Sequence, residues 1–420
     1  MSSSGRAALA AIFAAFAFAY FLSALLRAVT ATLAPVFSAE LGLGAGDLGL
    51  LAGAYFLGFA AMQLPLGRAL DRFGPRRTVL VLLGVAMLGC AAFALAGGAA
   101  ALVAARALIG MGVAACLMAP LTCYRRLLTP AAQLRANAWM LMTGSVGMVA
   151  STLPVQWLLP LTGWRGLFWL LAAALGLALL VIALAVPRDR PPAPAQVGVA
   201  ADGGYGPILR HPLFVRLAPL GFFVYGGLLA VQALWAGPWL TRVHGHTALQ
   251  AAEGLFAVNL SMLLAFLAWG AVMPRLERSG VGAMRLITWG LPLPIVLLAL
   301  NVVLGAEAGA AHWALWCVAC TFVTVSQPAV GAAFPAERAG RALSAFNLVI
   351  FAGVFCIQWG IGLAIDLGTR AGLDEAAAMR AAFAAFGVCT LLAYLWFVQR
   401  RAGSGRGAVD NRAAARTATP

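Results

Sequence analysis

Arg27 is the side chain best placed to do chemistry, because it stands about two-thirds of the way through an apolar stretch, residues 8–38, that is long enough to cross a bilayer. An arginine at such a depth costs about 2.5–3.5 kcal/mol on insertion scales and by default marks a functional site. Tyr20, Ser23, Arg27 and Thr30 recur at i, i+3, i+7 and i+10, which is one helix face. A planar fork of N–H donors on a polar face suits a carboxylate or a phosphate. The competing reading is structural, with Arg27 bonded to backbone carbonyls or to a polar neighbour.

Other polar side chains form stripes compatible with the same cavity. Residues 214–239 carry Tyr225, Gln232, Trp235 and Trp239 on one face, and residues 312–333 carry Cys317, Cys320, Thr321, Thr324 and Gln327. Tyr55, Gln63, Asn259, Asn347 and Gln358 lie in three further apolar stretches. Taken singly, each serves equally well as a hydrogen bond between helices. Three other patterns fail on context. Gly44-x-Gly46-x-x-Gly49 follows no strand, so it is a loop and not a dinucleotide fold. Cys317-x-x-Cys320 has only His312 nearby, too few ligands for a metal site. His244-x-His246 falls in an outer loop and reads as solvated. No metal, no cofactor and no nucleophile–base constellation is expected, so the chain does not read as an enzyme.

The elements that must position these residues are membrane helices. The chain is 63% hydrophobic and 10% charged over 420 residues, with a mean hydropathy of +0.93. Soluble domains are about 25% charged, so lipid must be the solvent for most of this chain. Apolar stretches fall near 8–38, 48–68, 77–97, 100–123, 136–160, 166–186, 214–239, 253–274, 284–305, 312–333, 343–366 and 380–398, which predicts twelve spans. The run from Ala7 to about Phe37 is too long for a signal peptide.

A net charge of +15 invites a nucleic-acid reading, which the placement of the charge excludes. All 28 basic residues are Arg. On the twelve-span topology 22 Arg lie on one side and four on the other, with six and seven acids, so the sides carry 22 − 6 = +16 and 4 − 7 = −3. This is the positive-inside pattern, and it predicts an inner-membrane protein with both termini cytoplasmic. The seven Cys all sit in apolar segments, none in an outer loop, so no disulfide framework is expected.

The chain divides into a six-helix half over 1–186, a Pro- and Gly-rich linker over 187–212, a second half over 213–400 and a disordered tail over 401–420. The halves read as a repeat at an offset of 206. Asp71-Arg72-x-Gly74 falls on Glu277-Arg278-x-Gly280, Arg135 on Arg341 and Gly147 on Gly353. Parallel repeats of six helices are one known transporter plan.

Between spans 2 and 3, residues 67–77 read GRALDRFGPRR. Gly67, Asp71, Arg72, Gly74 and Arg76 fall on the signature loop G-x-x-x-D-R-x-G-R-R/K, with Pro75 at its first basic position and Arg77 just beyond it, so the chain resembles the major facilitator superfamily. Arg106, Gly110 and Gly112 are similar to the R-x-x-x-G-x-G motif of its proton-coupled antiporters, where the Arg is assigned to coupling. Residues 144–154, GSVGMVASTLP, depart from the antiporter pattern of span 5, and no acidic residue lies mid-span.

The resemblance implies an all-α membrane protein of two pseudo-symmetric six-helix bundles that moves a solute by alternating access. The expected substrate is a small organic anion held by Arg27, with Tyr55, Gln232, Trp235, Asn259 and Gln327 around it. The Gly67–Arg76 loop would latch one face through Asp71, and Arg106 would couple transport to protons. The protein is expected to be a monomer in the bilayer. The rival readings are an exporter of lipophilic compounds, using the aromatic walls, and a transporter-like sensor that binds a solute without moving it.

Overall fold

The computed structural model describes residues 3–188 and 204–416. Helices dominate because backbone polar groups in hydrocarbon must be satisfied within their own segment. In the first half α1 spans Ser3–Leu41, α2 Ala45–Phe73, α3 Pro75–Leu95 and α4 Ala99–Arg125. Gly163, at φ +62°, reverses the chain and divides α5 (130–162) from α6 (164–185). That φ is cheap only for glycine, and the reversal turns an apparent single helix into two crossings.

In the second half α7 spans Pro212–Val243, α8 Ala248–Arg278, α9 Ala283–Glu307, α10 Ala310–Ala332, α11 Ala336–Arg370 and α12 Glu375–Arg416. Twelve crossings place both termini on one face of the molecule. Of the expected linker, 189–203 lies outside the described residues, and Gly206–Leu209 forms a single helical turn. The expected disordered tail differs as far as Arg416, where α12 still runs as helix. Its Ala and Arg content favours helix over coil.

The repeat read from sequence reappears as packing. A Cβ on Gly147 would sit 2.4 Å from the carbonyl oxygen of Phe21, and one on Gly353 would sit 2.3 Å from that of Phe222. Thus α5 lies backbone-close on α1 as α11 lies on α7. Each half also carries an aromatic cluster near the face away from the termini. Phe37, Phe93 and Trp164 meet edge to face in one half, and Trp239, Trp313 and Phe383 in the other. Outward side chains such as Leu184 and Val303 are exposed, as a lipid solvent permits.

The halves meet tightly at the face away from the termini. A Cβ on Gly49 would lie 2.3 Å from the Gln358 carbonyl oxygen, and one on Gly362 would lie 2.3 Å from that of Ala45, so α2 and α11 touch backbone to backbone. Asp366 of α11 accepts the N–H groups of Ala45 and Gly46 at the start of α2. Arg242 of α7 donates to Ser38 Oγ of α1 at 2.8 Å and pairs with Glu375 of α12. At the terminal face Asp71 is exposed and makes no hydrogen bond or ion pair to a described residue.

Candidate functional site

Between the halves lies a cavity of about 200 Å³. The first half contributes Tyr20, Ser23 and Arg27 from α1 with Phe59 and Gln63 from α2, and the second contributes Tyr225 from α7, Gln327 from α10 and Asn347 with Phe351 from α11. Two irregular helices shape the second wall. Three π turns, Gly221–Tyr225, Val231–Trp235 and Trp239–Val243, interrupt α7. A tight 3₁₀ segment, Thr321–Val325, precedes Gln327 in α10. Such interruptions of α-helical geometry concentrate at functional sites.

Arg27 is the charged side chain of this cavity. Its guanidinium interacts with the phenols of Tyr20 and Tyr55, with Tyr225 also near, and lies 5.9 Å from the centre of the Phe59 ring. Arg27 Nε and Ser23 Oγ have no hydrogen-bond partner. None of the lining residues is acidic. A cation in a low-dielectric wall without a counter-charge is costly, and an incoming anion removes that cost. Across the cavity Gln327 Nε2 donates to Asn347 Oδ1. Gln63 Nε2 donates to Phe59 O at 3.4 Å, which leaves its carbonyl oxygen available.

Arg27 and Gln327 are thus the two expected substrate residues that line the cavity. The others lie behind its wall. Tyr55 is fully buried, with its hydroxyl on Ser23 O at 3.1 Å and its ring 5.0 Å beneath the Arg106 guanidinium. Gln232 and Asn259 bond one another at 3.0 Å and join α7 to α8. Trp235 donates to Gln358 O at 3.1 Å. These are buried contacts between helices, made because each polar group in hydrocarbon must find a partner. Tyr20, Gln63, Tyr225 and Asn347 take their places at the cavity. Each belongs to a polar stripe visible in the sequence, but periodicity alone does not say which stripes face one another.

Arg106 does not reach water. It is fully buried, donates Nη1 to Leu26 O at 2.8 Å, and leaves Nε and Nη2 without partners. Both arginines thus contact Tyr55, Arg27 at its phenol and Arg106 over its ring. In the signature loop Gly74, at φ +81°, makes the turn between α2 and α3. Arg76 donates to Ala183 O at 2.6 Å near the end of α6, Arg72 lies over the Phe73 ring, and Gly67 faces open space. Cys317 and Cys320 are buried, and among the described residues no three Cys, His, Asp or Glu side chains gather. His244 bonds the Ala306 carbonyl and stacks edge to face on His246. A larger groove of about 460 Å³, lined by Leu50, Leu57, Leu102 and Val103 with Asp47 at its edge, gathers no polar set.

Two like halves of six helices around a part-polar cavity define a membrane transporter. The chain belongs to the major facilitator superfamily, whose pattern it matches over residues 16–355. An uncharacterised MFS-type transporter of Mycobacterium tuberculosis is 32% identical over 176 residues, which is 40% of this chain and 29% of that one. The match therefore spans less than a third of that relative's length. Among solved structures, a bacterial homologue of the human lysosomal transporter Spinster, inward-facing and unoccupied, superposes with a TM-score of 0.73 at 18% identity, over 96% of this chain and 98% of that one. A D-xylose–proton symporter superposes with a TM-score of 0.75 at 15% identity, over 93% and 97%. At these identities the likeness is one of fold.

Proposed function

We propose that this protein is a secondary active transporter that carries a small organic anion across the bacterial inner membrane by alternating access. The observation that carries the reading is Arg27, a cation in the cavity wall with a free Nε and no acidic residue among its lining neighbours. The arginine excess on the terminal face assigns that face to the cytoplasm. The clasped α2–α11 contact then closes the periplasmic side, and exposed Asp71 belongs to a cytoplasmic latch that engages in the opposite state. With no acidic residue in the wall to take up a proton, the cargo meets Arg27 as a carboxylate and the pair is neutral. Arg106 holds Tyr55 behind Arg27 and sets the charge that the anion meets.

Thermal unfolding of the purified protein against organic acids, sugar phosphates, amino acids and lipophilic cations tests the reading, because a ligand of the folded state raises the melting point by mass action. Organic anions should shift it. Arg27→Gln should abolish that shift, and Arg27→Lys should retain part of it, because an ammonium lacks the bidentate fork. Both variants should express normally if the ligand supplies the counter-charge. Shifts with lipophilic cations, or an anion shift unchanged in Arg27→Gln, would transfer the protein to the exporters.

A further inference from the structure

We infer that the cargo is a short monoanion bearing a hydroxyl group, a hydroxy-monocarboxylate, whose carboxylate meets Arg27 while its hydroxyl is read by the Gln327–Asn347 pair of the other half. The inference rests on the anion reading above and narrows it. Its first support is a charge inventory. Arg27 is the single formally charged residue among those lining the cavity. A second carboxylate on the cargo would find no cation there, and the ammonium of an amino acid would find no acid. Either would enter a low-dielectric site unpaired, which is the arrangement that buried charges avoid.

The second support is the hydrogen-bond inventory across the cavity. The Gln327–Asn347 bond uses one donor group and one acceptor. Each amide carries one carbonyl oxygen and one NH2 group, so the pair keeps an unused oxygen and an unused NH2. A hydroxyl donates and accepts through one atom, and it satisfies both. A methyl or methylene satisfies neither and leaves the amides desolvated on closure. Tyr225, from the same half, adds a further hydroxyl to this wall.

Size agrees with the chemistry. A cavity of about 200 Å³ admits a short-chain acid. Bridging also gives the hydroxyl a function. Arg27 stands on α1 and the amide pair on α10 and α11, so a cargo held at both ends ties the two halves together. A ligand shifts a conformational equilibrium only through contacts that differ between states. A simple acid held by Arg27 alone makes no contact that depends on closure.

The experiment is a thermal-shift and proteoliposome-uptake series with lactate, propionate, succinate and serine on the wild-type protein, on Asn347→Ala and on Arg27→Gln. Lactate should bind about tenfold tighter than propionate, the scale of one hydrogen bond to a part-buried amide, and succinate and serine should bind more weakly than lactate. Asn347→Ala should bring lactate and propionate within about threefold of one another while retaining both, and Arg27→Gln should lose both. Equal wild-type affinities for lactate and propionate, or a preference for succinate or serine, would overturn the hydroxyl assignment and leave the anion reading standing. A series in which no acid shifts the melting point, or in which Arg27→Gln changes nothing, would overturn the anion reading and this inference with it. The wild-type ligand order decides the matter even if Asn347→Ala fails to fold.

Discussion

The carboxylate of Asp366 accepts the backbone N–H of Gly46 at 2.9 Å, and that of Ala45 at 3.1 Å, so a side chain of one half caps a helix of the other. The residues are 320 positions apart in the chain. A helix start presents unpaired N–H groups and the positive end of its dipole, so the contact is electrostatic as well as geometric. It closes the face opposite the one on which Asp71 lies exposed.

Asp366→Asn should therefore open that closed face. A carboxylate at a partly buried helix start contributes about 1–2 kcal/mol, which corresponds to a population shift of about 5–30-fold. Distances between spin labels at Leu41 and Thr369 should lengthen. An unchanged distance distribution would remove Asp366 from the closing device.

Gly49→Ala should act in the same direction and more strongly. The added Cβ would fall 2.3 Å from the Gln358 carbonyl oxygen, a backbone atom that cannot swing aside. The same pair of labels should report loss of the short distance, while the α2–α4 packing and the yield of membrane-inserted protein stay as in the wild type.

Asp71→Asn should leave this conformation untouched, since Asp71 bonds no described residue in it. Uptake should fall while insertion and melting temperature in the unliganded state hold. Cysteine accessibility on the periplasmic face should decrease, as the opposite conformation loses its latch. Wild-type uptake and accessibility together would count decisively against the latch.

Arg106→Met should preserve or raise thermal stability, because it removes a buried cation with two unpartnered nitrogens. Replacing uncompensated buried charge by an apolar group of similar length is often stabilising by about 1–4 kcal/mol. Uptake of the anion should nevertheless fall, since Tyr55 loses the guanidinium above its ring. A melting temperature several degrees below wild type would assign Arg106 a structural role.

Alkaline phosphatase fused at Gly203 or after Arg401 should be inactive, and fused at Gly245 it should be active, because the enzyme folds only in the periplasm. Activity at Gly203 would reverse the orientation.

The spans were legible in the sequence because hydrocarbon imposes a length and a composition on every crossing. Even the break between spans 5 and 6, read between 160 and 166, brackets Gly163. Arg27 was legible because its position is costly. Gln232 and Trp235 were not separable from Tyr225, since each π turn in α7 takes an extra residue and rotates the next side chains away from the 3.6-residue face. Tyr55 shared a polar stripe with Gln63, yet Arg106 holds it one layer behind the wall. Asp366 carried no local signal at all, because its partners are backbone groups brought to it by the fold.

The lone cation of the cavity has an electrical consequence. On the proposed anion reading, Arg27 and a bound carboxylate sum to zero, and the loaded protein changes its facing without moving net charge through the membrane field. Without cargo, a reorientation of the cavity carries that positive charge between compartments. Each elementary charge crossing the full field is worth about 2.3 kcal/mol per 100 mV. An inside-negative voltage therefore holds the unloaded carrier facing the cytoplasm and slows its return. Swapping one anion for another across the membrane avoids the charged step, so exchange should outpace net flux, and increasingly so as the membrane polarises.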